Sequence, residues 1–249
     1  MSIKIKYQND DNMYCFHSFE QIQNYDNVIY IEFLINQLTS LPKLPNSLKS
    51  LSCDYNQLTS LPKLPNSLKK LYCNTNLLTL LHELPNSLHT LFCSENQLTL
   101  LPELPNSLER LWCDNNQLTF LPELPNSIIK IWCNNNQLSE LSKLSTSLIE
   151  LYCNNNQLTS LPKLPNSLQI LECEDNKLYS LPKLPKMIQT VKCNNNRLNF
   201  LPEIPDSLIP DMWIIQLMFV NKNISKRTYI PKYLNKIINE HISNNLSVY

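Results

Sequence analysis

Nine cysteines and four histidines have the most chemistry to offer in this chain. A thiolate is a nucleophile and a metal ligand, and an imidazole is a general base or a metal ligand. Their spacing argues against such uses. Cys53, Cys73, Cys93, Cys113, Cys133, Cys153, Cys173 and Cys193 stand 20 residues apart. Zinc sites are usually built from close pairs such as C-x₂-C with a second pair nearby, not from single residues at a long fixed step. On in-register parallel strands, successive Cβ vectors run side by side, which strains the dihedral angle a disulfide needs. The expectation is a ladder of reduced, buried thiols packing as small apolar side chains. Cys15 stands outside the ladder with no His or Asp partner in the pattern, so no nucleophile is assigned there. His17, His82, His89 and His241 form no spaced pair suited to a metal or a triad. With Gly at 0, no glycine-rich phosphate loop exists. No catalytic residue, metal or cofactor is expected, and the chain is read as a binder rather than an enzyme.

The elements that must position these residues follow from the same period. Asn36, Asn56, Asn76, Asn96, Asn116, Asn136, Asn156, Asn176 and Asn196 keep the 20-residue step. Aligned on them, the unit reads Leu-x-x-Leu-x-Cys-x-x-Asn-x-Leu, as in Leu108 to Leu118, followed by Leu-Pro-x-Leu-Pro. A period this strict decides the fold before local propensity does: a solenoid of about nine units, with one short strand per unit. The strand is predicted around Arg110 to Asp114, with Leu111 and Cys113 inward because strand side chains alternate. Leu118, Leu121 and Leu124 fill the rest of the core. Pro122 and Pro125 forbid a helix on the return path and favour an extended, polyproline-like run. Nine strands stacked parallel, about 4.8 Å apart, span roughly 40 Å. The Asn amides are expected to tie each coil to the next through backbone groups. Lacking glycine, the chain is expected to use Asn wherever a turn needs positive φ. Residues 141–147, Leu-Ser-Lys-Leu-Ser-Thr-Ser, carry no proline, and the convex side is expected to be looser there.

The string Leu-Pro-Asn-Ser-Leu-x-x-Leu-x-Cys-x-x-Asn-Gln-Leu-Thr-x-Leu-Pro resembles the short leucine-rich repeat of secreted bacterial effector proteins. It also resembles leucine-rich-repeat proteins of giant DNA viruses of amoebae. The resemblance covers residues 31–208. It implies a leucine-rich-repeat solenoid with a parallel, in-register β-sheet on the concave face and an extended convex face. The family uses one scaffold for many partners. The expected partner is a protein or peptide, a host protein among the candidates, and the expected location is cytoplasmic or nuclear, the host-cell cytoplasm included. Some of these effectors carry a ubiquitin-ligase domain after the repeats; the stretch of about 40 residues that follows here is too short for one by usual domain sizes.

A solenoid exposes apolar surface at both ends unless capped. Residues 1–30 are expected to form the N-terminal cap. In it, Ile3 to Tyr7 alternates as a strand, 9–12 turns, Met13 to His17 returns, and Ser18 with Gln21 makes a capping box. Residues 31–38 fit the unit with Phe33 in the Cys position. Residues 209–249 are expected to form the C-terminal cap. Trp213 falls at the Cys position of a decayed unit, and Leu234, Ile237, Ile238, His241 and Ile242 share one helical face after Pro231. The alternative use of that helix is recruitment of a partner.

Lys+Arg 21 balance Asp+Glu 21. That argues against a nucleic-acid binder and removes the electrostatic reason to sit on an anionic membrane. The start of the chain has no apolar run of the signal-peptide kind, and Trp213 to Val220 is too short to span a bilayer. A monomer is expected.

The outward strand positions hold the candidate site. Five consecutive units place Tyr72, Phe92, Trp112, Trp132 and Tyr152 in one central column. One neighbouring column carries Arg110 and Lys130, and the other carries Asp114. Aromatic side chains bury about 150–250 Å² each when covered, and aromatics beside an Arg are typical of protein interface centres. The expected function is binding of a partner protein or peptide through this strip. Glycan binding by the same strip and a purely structural stack are the alternatives.

Overall fold

The computed structural model describes residues 2–33, 37–199, 202, 203, 205, 207 and 208. Its strands form one 11-stranded sheet. The chain enters through an antiparallel pair, β1 (Ile3–Tyr7) and β2 (Tyr14–Phe16), then two single 3₁₀ turns, Phe19–Gln21 and Tyr25–Asn27. Strand β3 (Val28–Phe33) pairs antiparallel with β1 on one side and parallel with β4 (Ser50–Ser52) on the other. From there each coil adds one three-residue strand: β5 (Lys70–Tyr72), β6 (Thr90–Phe92), β7 (Arg110–Trp112), β8 (Lys130–Trp132), β9 (Glu150–Tyr152), β10 (Ile170–Glu172) and β11 (Thr190–Lys192). Every pair from β3 to β11 is parallel and in register at a step of 20, for example Leu111 opposite Ile131. The strand is shorter than the Arg110 to Asp114 span expected from sequence, because the chain turns into the left-handed region at residue 115 (φ 53°).

The core is a set of columns running the length of the solenoid. The Leu and Cys of each strand are buried, as are Leu118, Leu121 and Leu124 of the representative coil. Phe33 takes the cysteine position in β3 and is buried. The ladder cysteines from Cys53 to Cys193 are buried in the core and form no disulfide, while Cys15 is exposed. Each thiol that donates does so to the carbonyl one coil on, as Cys53 Sγ does to Tyr72 O at 3.4 Å.

Three polar ladders hold the coils together. In the first, Asn116 accepts from Leu98 N–H at 3.0 Å and donates to the carbonyls of Cys93, Cys113 and Asp114 at 3.0, 3.2 and 3.1 Å. The other buried Asn residues follow the same plan, which satisfies backbone groups that a three-residue strand leaves unpaired. In the second ladder, a return-path serine donates to the coil before it, as Ser67 Oγ does to Leu48 O at 2.7 Å. The third ladder lies on the concave side.

Two expectations about the backbone need correcting. The residue before each ladder Asn has positive φ, and Asn115, Asn135, Asn155 and Asn195 fill it, but so do Tyr55, Thr75, Glu95 and Asp175. Inter-coil backbone bonds on both sides of that residue, such as Thr75 N–H to Ser94 O at 2.9 Å and Asn76 N–H to Glu95 O at 3.1 Å, impose the conformation whatever the side chain. Nor does the return path loosen at 141–147. Leu141 and Leu144 are buried as elsewhere, and Ser145 is buried in the position a proline holds in other units. Its hydroxyl donates to Asn126 O at 2.9 Å and accepts from Ser147 N–H at 3.1 Å. Trp213, Leu234 and the helical face around Ile237, Ile238, His241 and Ile242 lie outside the described residues.

Candidate functional site

The concave strip is positioned by sheet register alone. Because β5 to β9 pair in register, Tyr72, Phe92, Trp112, Trp132 and Tyr152 stand opposite one another across adjacent strands. Their inward neighbours Leu71, Leu91, Leu111, Ile131 and Leu151 are buried, so alternation sends the aromatics outward, where they are half-buried.

The rings pack on each other. Phe92 and Trp112 are stacked with centroids 3.7 Å apart and planes 3° apart. Trp112 and Trp132 are stacked at 4.4 Å and 13°. Tyr72 meets Phe92 edge-on at 5.1 Å, and Tyr152 meets Trp132 at 4.9 Å with a 57° tilt. Ring separations this close to the strand spacing mean that the ring normals run along the solenoid, so the central rings stand on edge like pages. Trp112 therefore has both faces covered, by Phe92 and by Trp132. The indole N–H groups of Trp112 and Trp132 are buried with no acceptor among the described residues. An unpaired buried donor costs about 1–3 kcal/mol, and stacking, worth about 0.5–1.5 kcal/mol per pair, offsets part of that. Burial raises the Tyr72 and Tyr152 phenols above their ordinary range.

The flanking columns differ from the sequence expectation. Arg110 and Lys70 are exposed and make no ion pair among the described residues. Lys130 is paired with Glu150 at 2.6 Å, so its charge is already matched. Thr90, between Lys70 and Arg110, is buried. On the other flank, Asp114 is not a free anion aimed at a ligand. Its Oδ1 accepts the Asn134 backbone N–H at 2.7 Å. Asp54 does the same with Asn74 at 2.6 Å, and Asn74, Asn134 and Asn154 with the next coil. This is the third ladder. Burial pushes both Asp54 and Asp114 upward, against these hydrogen bonds, which lower them.

Sequence reasoning missed a second exposed apolar group in the same coils. Leu80, Leu100 and Phe120 are 43%, 46% and 50% exposed at one repeat position beyond the Asn turn. The signal was present, since Ser60, Glu140 and Ser160 hold that position in other coils.

Among the described residues no group of three or more His, Cys, Asp or Glu is placed to hold a metal, and no helix is long and apolar enough to cross a membrane. No protein-family model matches the chain, and neither does any curated protein. Solved structures do. The leucine-rich effector protein YopM of Yersinia pestis matches at 44% identity with a TM-score of 0.69, over 72% of this chain and 52% of that one. The chain is a leucine-rich-repeat solenoid of the bacterial-effector type. A second leucine-rich-repeat likeness is the functional domain of InlJ from Listeria monocytogenes, described as including a cysteine ladder. It matches at 25% identity with a TM-score of 0.52, over 66% of this chain and 43% of that one. This solenoid spans about half the length of either structure.

Proposed function

We propose that this leucine-rich-repeat solenoid is a non-enzymatic interaction module that grips a partner protein or peptide along the concave strip of Tyr72, Phe92, Trp112, Trp132 and Tyr152. The observation that carries the reading is the edge-on stack in the middle of the sheet. It is a rigid apolar ridge whose side chains lose little further freedom when covered, the property that makes aromatic clusters binding hot spots. Arg110 supplies the open cation beside it, and a partner with an acidic group next to an apolar segment fits that edge. Lys130 and Asp114, already engaged within the sheet, shape the borders of the strip. Residues 1–30 and 209–249 serve as the caps of the repeat region. The likeness to a bacterial effector supports a host-cell protein as the partner and the host cytoplasm as the place. The geometry gives less support to a glycan, because stacking a sugar needs an open ring face and the central tryptophan has none.

Site-specific photo-crosslinking tests this reading. A crosslinking residue in place of Lys70, exposed at the edge of the strip, is expected to capture the partner from host lysate. One in place of Asn106, exposed on the return path, is not. Capture from Asn106 alone contradicts the proposal.

A further inference from the structure

The return path carries one exposed side chain per coil between its two Leu-Pro steps, and the charges at that position are sorted into blocks. Glu83, Glu103 and Glu123 follow one another in adjacent coils, and Lys143, Lys163 and Lys183 follow them. Lys43 and Lys63 precede the acidic block and Glu203 follows the basic one. All nine are exposed. None of these side chains makes an ion pair or hydrogen bond among the described residues. Coils stack about 4.8 Å apart, so each block sets like charges side by side within a Debye length, where they repel.

From Lys63 to Glu203 the string, read in reverse, is its own complement, and Lys43 lies beyond the matched span. Glu123 is matched with Lys143, Glu103 with Lys163, Glu83 with Lys183, and Lys63 with Glu203, every pair placed symmetrically about position 133. A twofold axis perpendicular to the solenoid, passing between the return segments of Glu123 and Lys143, would lay each charge of one copy against its opposite on another. Under that operation every pair occurs twice, as in any isologous interface. A parallel alignment without offset sets every charge against its like. One offset by three coils also pairs opposite charges, but over fewer coils and head to tail, so it does not close on itself as the twofold does.

We propose that the return face is a self-association surface whose occupant is a second, antiparallel copy of this chain. The neighbouring prolines Pro102, Pro122 and Pro162 fix the backbone that presents the charges, so little order has to be gained on docking. The pairs next to the axis, Glu123 with Lys143 and Glu103 with Lys163, make the closest approach and carry most of the effect. Exposed ion pairs are individually weak, so the dimer is a low-affinity, salt-sensitive one. It leaves the concave strip free, and it departs from the monomer expected from sequence.

Sedimentation equilibrium on the full chain tests the proposal. At low salt the mass should rise from monomer to dimer with concentration. At 1 M salt, where the Debye length falls to about 3 Å, the monomer should dominate. Glu103→Lys turns two attractive pairs repulsive and should raise the dissociation constant at least about tenfold, with an unchanged melting curve because the position is exposed. Adding Lys163→Glu to that variant restores complementarity and should restore the dimer. A wild type that stays monomeric at low salt overturns the proposal, as does a dimer indifferent to Glu103→Lys or a double variant that fails to recover. Crosslinking of a partner from position 70 is unaffected by any of these outcomes, so the two readings fail separately.

Discussion

The two sides of each strand obey different rules. Inward, β4 to β11 repeat one answer: Leu, Ile or Val at one position, Cys at the next inward position, and an Asn amide closing the turn. Outward, the central position runs from Ser52 through five aromatics to Glu172 and Lys192. The inward set has to be uniform because every coil is the floor of the next. A change in one coil alters the packing and the hydrogen bonds of two. The outward set touches its neighbours along the column and, where Asn154 donates to Glu172 at 3.1 Å, the adjacent column. It forms no part of the core, so it is free to vary, and a run of aromatics there is a feature the fold does not require. The difference separates what holds this solenoid together from what it offers to a partner.

The largest expected effect belongs to the inward side. Burial raises the thiols of Cys53, Cys73, Cys93, Cys113, Cys133, Cys153 and Cys173 above their ordinary value of about 9. An acid whose pKa is raised by folding contributes stability that is fully present below its unfolded pKa and is lost as pH rises toward the folded one. Each such thiol costs about 1.4 kcal/mol per pH unit in that window. Seven acting together should unfold the repeats steeply above about pH 9 in the presence of a reductant. Circular dichroism against pH checks this, and a flat profile through that range would break the account of the cysteine column.

Next comes the Asn column. Asn116→Ala removes one acceptor and three donor contacts and strands buried backbone groups of two coils. A loss of about 3 kcal/mol or more is expected in urea melts. Asn116→Asp keeps the acceptor but sets a buried carboxylate oxygen against the carbonyls of Cys93, Cys113 and Asp114, and should cost at least as much as Ala.

How far these sides were legible from sequence differs in the same way. The period, the inward Leu and Cys, the Asn amides and the outward aromatic column all follow from counting, because in-register coils turn sequence spacing directly into spatial columns. What failed to show depends on atoms that repetition does not specify. Asp114 looked like a free acid, yet its carboxylate accepts a backbone N–H of the next coil. Lys130 looked available, yet Glu150, one step along its column, is close enough to pair with it. Ring orientation was equally out of reach, since a column of aromatics is compatible with flat or edge-on packing.

The smallest effect concerns strain that the inward ladders impose on the turn. Thr75 sits at φ 51°, a conformation that disfavours a β-branched side chain. Thr75→Asn should stabilise by about 0.5–1 kcal/mol. Its hydroxyl contact to Glu95, at 3.1 Å and exposed, is a minor loss. A lower melting temperature would show that the turn is not strained at this position.

The central claim, that the outward strip binds while the inward columns fold, is tested most directly by Trp112→Ala combined with Trp132→Ala, with melting temperature and partner capture measured on one preparation. The variant should lose a few kcal/mol of stacking at most and remain folded, while capture falls by 2 kcal/mol or more, roughly thirtyfold. Capture at the wild-type level by the folded variant, or collapse of the fold itself, would contradict it.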